Sequence, residues 1–186
     1  MLLLDKKNLL EDTIVIITAD HGGQFPNIPI RDNKGHRVNS FADELYKIPL
    51  IFYNTDIRAQ VYDGLVSSVD INATILDMVG IDVPNSFRGK SILDNNYNRK
   101  YVISENQGRG PCHFTYKPIF VCVRSEYYKI VYKTIPPKHD RGNVVEFYDI
   151  TNDPDEYNNL FKNKDLLYSV SNLVKIAKNR VREIVN

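Results

Sequence analysis

Two patterns of apolar and polar positions divide the chain. In the first, Thr13-Ile-Val-Ile-Ile-Thr18 is an unbroken β-branched run, the composition of a strand buried on both faces of a parallel sheet. A second such run is Ile48-Pro-Leu-Ile-Phe-Tyr53, preceded by a short helix-like piece over residues 40–46. Between them, residues 24–37 are rich in Pro, Asn, Asp and Gly and read as a long surface loop. The periodicity predicts a helix over residues 66–79, with Val69, Ala73, Leu76 and Val79 on one face, Asp70 near its start and Gly80 as C-cap. The opening Met1-Leu-Leu-Leu, followed by Asp5-Lys6-Lys7, reads as the last turns of an amphipathic helix. Leu2, Leu3, Leu9 and Leu10 would then face a core.

From Tyr101 the pattern changes. Residues 101–104, 119–124, 127–134 and 144–150 read as strands separated by turns with no helix between them, which predicts a small antiparallel sheet. Residues 166–185 then repeat Leu166, Val170, Leu173, Ala177, Val181 and Ile184 at spacings of three or four, with Lys and Arg opposite. The polar stretch Asp94–Lys100 is the natural boundary, giving a first domain over 1–95 and a second over 96–186. The expected fold class is α/β: part of a mostly parallel sheet with helices, followed by a small antiparallel sheet packed by a C-terminal helix.

Composition narrows the partners. The 186 residues carry a formal net charge of +1, with 42% hydrophobic and 25% charged residues. That balance suits a globular protein and excludes a strongly basic nucleic-acid footprint. The basic residues of the last helix (Lys175, Lys178, Arg180, Arg182) read as a solvated surface rather than a nucleic-acid patch. No run approaches the ~20 apolar residues of a membrane span. Cys112 and Cys122 are too few for a disulfide framework and lack zinc-finger spacing.

The strongest chemical signal is Asp20-His21-Gly22-Gly23, directly after the first strand. Ligands of open α/β sheets bind at the carboxyl ends of strands. An adjacent carboxylate and imidazole there can bind one divalent cation, and the two glycines let the backbone turn sharply beside it. A second unusual stretch is Glu105-Asn-Gln-Gly-Arg-Gly-Pro-Cys-His113. Arg109 can grip an anionic group bidentately, so Arg109 and His113 are candidates for a substrate-specificity loop. The same residue types suit a plain connection between strands.

Residues 13–23 resemble the second metal-binding motif of the sulfatases of the alkaline phosphatase superfamily. Four further blocks follow in that family's order: Ala42-Asp-Glu-Leu-Tyr-Lys-Ile-Pro-Leu-Ile51, Val69-Asp-Ile-Asn-Ala-Thr-Ile-Leu-Asp-Met-Val-Gly-Ile81, Arg88-Gly-Lys-Ser-Ile-Leu93 and Tyr148-Asp-Ile-Thr-Asn-Asp-Pro-Asp-Glu-Tyr-Asn-Asn-Leu160. The resemblance implies an alkaline-phosphatase-like fold and a metal-dependent hydrolase of sulfate esters. Phosphodiester, phosphonate or phosphoryl-transfer chemistry of the same superfamily is the alternative. The substrate would be a small anionic ester, a sulfated sugar or an aryl or alkyl ester.

Asp20 and His21 match the family's metal-ligand pair for one divalent ion. Calcium serves many members, whereas an imidazole ligand suits Mn or Zn better. His36, ahead of the second block, stands where the family places a cation or proton donor for the leaving oxygen, with Arg37 beside it as an anion contact. The family's nucleophile lies in a Cys/Ser-x-Pro-x-Arg segment, whose formylglycine is a modified residue. This chain contains no such segment. The chain therefore corresponds to the C-terminal portion of a sulfatase, expected to be inactive alone. A non-catalytic remnant is the alternative of another class. Without its neighbouring strands, the Thr13–Thr18 strand should leave the sheet exposed and favour association through it.

Overall fold

The computed structural model describes residues 2–23, 41–53, 56–106, 117–139 and 141–185. They fall into two compact units, residues 1–62 and 63–186.

In the first unit, helix α1 (Leu2–Lys6) precedes strand β1 (Val15–Thr18). Helix α2 (Asp43–Tyr46) then leads into strand β2 (Leu50–Tyr53). The two strands pair antiparallel, with Val15 opposite Tyr53 and Thr18 opposite Leu50. Within this chain the strand paired with β1 therefore runs antiparallel to it. Neither strand is buried on both faces, since Ile17 of β1 is 48% and Ile51 of β2 51% exposed. A two-stranded ribbon has too little area to cover its own apolar side chains. Leu3 and Leu9, expected to face a core, are likewise exposed. Phe41 and Ala42 are buried, and Phe41 stacks on Tyr46 with ring centroids 5.6 Å apart.

The second unit holds the core. Helix α3 (Val69–Met78) is followed by strands β3 (Tyr101–Asn106), β4 (Phe120–Ser125), β5 (Tyr128–Thr134) and β6 (Gly142–Asp149). The strands form an antiparallel sheet in the order β3-β4-β5-β6, as their β-branched and aromatic runs predict. Helices α4 (Lys164–Ser169) and α5 (Ser171–Val185) close the chain. The single helix expected over 166–185 breaks at Val170, which is itself buried. Asn163 caps α4 by accepting from the Leu166 N–H at 3.2 Å.

Val170, Leu173, Ala177 and Val181 pack on Ile119, Val121, Val123, Ile130, Tyr132 and Phe147. Each buried Val, Leu, Ile or Phe side chain here contributes about 1.5–3 kcal/mol by leaving water. Strict alternation along β6 would send Val144 and Phe147 to opposite faces. A bulge between the pairs Val131–Glu146 and Tyr132–Val144 inserts one residue, so Val144 packs beside Phe147 on the core face.

Helix α3 departs from its expected packing. Val69 and Val79 are exposed, while Asp70, Ala73 and Thr74 are buried. The segment carrying Arg88-Gly-Lys-Ser-Ile runs along that polar side. A Cβ on Gly89 would lie 1.8 Å from the Val69 carbonyl oxygen, so only glycine allows this approach. The Thr74 hydroxyl donates to the Asp70 carbonyl at 2.7 Å and accepts from the Ile92 N–H at 3.1 Å. Ser91 donates to the Asp77 carboxylate.

Candidate active site

Asp20 and His21 stand just past the end of β1, where the Gly22 turn is pinned to α2. The Gly22 N–H donates to the Leu45 carbonyl at 2.8 Å. A Cβ on Gly22 would sit 1.9 Å from the Glu44 carbonyl oxygen. The glycine after the Asp-His pair is therefore required by the backbone of α2, and two of the sequence blocks dock through it.

The pair is oriented from within. The His21 N–H donates to Asp20 Oδ1 at 2.9 Å. His21 Nδ1 lies 2.6 Å from the Gly22 carbonyl oxygen, which can only accept. The Nδ1–H tautomer satisfies this contact, with Nε2 as the other ring nitrogen. That arrangement, with one ring nitrogen donating to a carbonyl, is how metal-binding imidazoles are held. Nε2 lies 3.6 Å from Asp20 Oδ2, and the two side chains are 74% and 87% exposed. This separation suits two ligands of one ion when each is ~2.1 Å from it. Among the described residues, no group of three or more His, Cys, Asp or Glu is placed to hold a metal ion. The other sequence-predicted site residues, His36, Arg37, Arg109 and His113, lie outside the described residues.

A buried polar cluster on Asp70 has no signature in the local sequence. Its buried carboxylate accepts from the Ser67 N–H (3.0 Å), the Lys90 N–H (2.9 Å), the Tyr97 hydroxyl (2.7 Å) and Arg99 Nε (2.8 Å). Burial alone would raise the Asp70 pKa, but the bonds from Arg99, Lys90, Tyr97 and Ser67 outweigh it and hold it below the usual carboxylate value. Burial, and then the bond to Asp70, push Tyr97 up to about 12. Tyr97 and Arg99 come from the polar stretch that reads locally as a linker; no spacing rule links them to a residue on a helix almost thirty positions earlier.

A second cluster explains the block over 148–160. Asp149 accepts from the Thr151 and Asn152 N–H groups, and Asp153 from those of Tyr157 and Asn158. Glu156, buried and at φ +60°, pairs with buried Lys129. Asn159 accepts from the Phe147 N–H at 3.0 Å and donates to the Val145 carbonyl at 3.2 Å. The Leu160 N–H donates to the Phe147 carbonyl at 2.8 Å. The block thus folds back along the free edge of β6 at its bulge, satisfying backbone groups that would otherwise lack partners.

Comparison with known proteins identifies the family. The family described as N-sulphoglucosamine sulphohydrolase, C-terminal, matches residues 39–184. The chain belongs to that sulfatase family, within the alkaline phosphatase superfamily, and the family is one of sulfate-ester hydrolases. It is 31% identical to the delta 4,5-hexuronate-2-O-sulfatase of Bacteroides thetaiotaomicron, covering 81% of this chain and 31% of that protein. To human arylsulfatase K it is 25% identical, covering 91% of this chain and 32% of that protein. A solved structure in complex with its substrate D-glucosamine-2-N,6-O-disulfate superposes with a TM-score of 0.62 at 23% identity, covering 97% of this chain and 35% of the other. The chain therefore spans about a third of the length of these relatives. The α/β class with a C-terminal helix packed on a small antiparallel sheet is that of the sulfatases.

Proposed function

We propose that this chain supplies the C-terminal portion of a metal-dependent sulfatase acting on sulfated sugars, with Asp20 and His21 as two ligands of one divalent ion. The observation that carries this reading is the Asp20–His21 geometry: the imidazole Nε2 and a carboxylate oxygen 3.6 Å apart, at the Gly22 turn just past the end of β1. The imidazole favours Mn or Zn over Ca. Lewis-acid polarisation of the sulfate oxygens is the chemistry such an ion supplies when bound.

The roles of this chain's residues follow from their types. Asp20 neutralises charge and fixes position, and the Gly22 carbonyl holds the His21 ring so that Nε2 faces the same space. His36 donates a proton to the leaving alcohol oxygen, and Arg37 offsets negative charge on the sulfate. Arg109 and His113 contact the anionic part of the sugar. The relatives' names support a sulfated carbohydrate substrate: they comprise a hexuronate sulfatase and a protein bound to disulfated glucosamine. The nucleophile comes from sequence outside these 186 residues, which hold no Cys/Ser-x-Pro-x-Arg segment.

The test has two arms. Calorimetric titration of the chain with Mn²⁺ or Zn²⁺ should show binding that is lost in Asp20→Asn and in His21→Ala. Joined to a sulfatase segment carrying Cys-x-Pro-x-Arg, the chain should release sulfate from an aryl sulfate ester faster than phosphate from the matching phosphate ester, and Asp20→Ala should abolish it. Faster phosphate release, or hydrolysis untouched by Asp20→Ala, would overturn the assignment.

A further inference from the structure

The basic residues of α5 are not equivalent. Arg180 donates to Glu105 and, at 2.7 Å, to Glu183, which also accepts from Arg88 at 3.0 Å. Lys175, Lys178 and Arg182 form no ion pair among the described residues. Spaced three and four apart, they lie on one stripe of the helix that spans about 10 Å along its axis.

That stripe borders a groove of about 640 Å³ between α4 and α5, where the chain breaks at Val170. Leu167 and Val174 supply apolar surface, and Tyr168, 84% exposed, stands beside them. No Asp or Glu is among the described residues lining it. An exposed aromatic ring and three uncompensated cations around an apolar surface combine two means of recognition. The ring offers a flat face to the C–H groups of a sugar, and the cations attract regularly spaced anions. A merely solvated basic face needs neither the groove nor the ring.

We infer that the α4–α5 groove binds a sulfated oligosaccharide, holding a polyanionic chain through Lys175, Lys178 and Arg182 with Tyr168 against a sugar ring. The choice of a sulfated glycan over other polyanions rests on the sulfatase reading above. Pairing of sulfates with exposed cations is screened by salt, so affinity should fall steeply as ionic strength rises.

The experiment measures binding of a heparin hexasaccharide to the full chain at low and physiological salt. Its desulfated counterpart, a single-stranded oligonucleotide and phosphatidylserine vesicles serve as competitors. The sulfated hexasaccharide should bind at least tenfold more tightly than each competitor. The triple change Lys175→Gln, Lys178→Gln and Arg182→Gln should weaken it about tenfold or more, each cation accounting for roughly two- to fivefold. Tyr168→Ala should weaken it about threefold with the salt slope unchanged. In the unmutated chain, amide resonances of Tyr168, Lys175, Lys178 and Arg182 should move on addition of the sugar, which guards against a variant that misfolds.

Asp20→Ala should leave this binding intact, so a failed hydrolysis assay with binding preserved breaks the catalytic reading while supporting the groove. Equal affinity for the oligonucleotide or vesicles, an unaffected triple variant, or resonance shifts confined to other residues would overturn the inference.

Discussion

The sheet unit and the ribbon unit treat the same kind of sequence in opposite ways. In β4 and β5, a β-branched run becomes a central strand, with Val121, Val123 and Ile130 fully buried beneath α5. In β1, an equally β-branched run pairs with one strand only and leaves Ile17 half in solvent. The first unit carries the exposed Asp20–His21 pair, and the second carries the core and the buried polar clusters. The family's sequence blocks thus do two jobs. The Asp-His block presents an exposed carboxylate and imidazole, whereas those around Asp70, Gly89 and Glu156 fasten backbone to backbone.

The largest effects should come from the sheet unit. Phe147→Ala empties the centre of the core and should cost about 3–5 kcal/mol in chemical denaturation. Ile51→Ala on the exposed ribbon should change stability by less than about 0.5 kcal/mol. Lys129→Ala leaves Glu156 charged and buried and should also cost about 3–5 kcal/mol. Lys129→Met with Glu156→Gln should recover much of that loss. Equal losses in the single and double variants would show that the pair is not what holds the 148–160 block.

Next is the Asp70 cluster, which should respond to pH in two windows. Because the Asp70 pKa is lowered on folding, its contribution is fully present above the unfolded value of about 3.9 and fades as pH falls through the lower folded one. For Tyr97, raised from 10.0 to about 12, the contribution is present below the unfolded value and is lost as pH rises through that interval. Asp70→Asn should flatten the acidic arm of a stability–pH curve, and Tyr97→Phe the alkaline arm. Unchanged curves would remove the cluster from the account of stability.

In the ribbon unit the expected effects are smaller and more local. Gly22→Ala forces a methyl group into the Glu44 carbonyl and should cost about 1–3 kcal/mol there, with weaker Mn²⁺ or Zn²⁺ binding because the His21 turn moves. Asp20→Asn should leave stability within about 0.5 kcal/mol and remove metal binding, since both side chains are exposed. The unaltered chain should show no sulfate release by itself, and turnover lost in Asp20→Ala would contradict that. Ile17→Lys with Ile51→Lys should reduce self-association in light scattering; a monomer at all concentrations before substitution would remove that expectation.

Much of the fold was legible because its periodicities are local. The alternation in β3 to β6 and the three-and-four spacing of Leu173, Ala177 and Val181 each report one element packing on one neighbour. The Asp20–His21 pair was legible for a similar reason: adjacent residues after a strand share one location whatever the rest of the chain does. The buried face of α3 was not legible, because apolar spacing selects Val69 and Val79 whereas a segment from beyond the helix covers Asp70 and Thr74.

By itself, the sequence determined the elements, the antiparallel sheet with its terminal helix, and the placing of Asp20 beside His21 at a strand end, all of which depend on residues near one another along the chain. Tertiary structure alone decided the direction of pairing of β1, the bulge that puts Val144 and Phe147 on one face, and the Arg99–Asp70 and Lys129–Glu156 pairs. Each of these joins or orients groups through long-range packing, and a buried charge or an unpaired strand edge finds its partner only when the chain has folded around it.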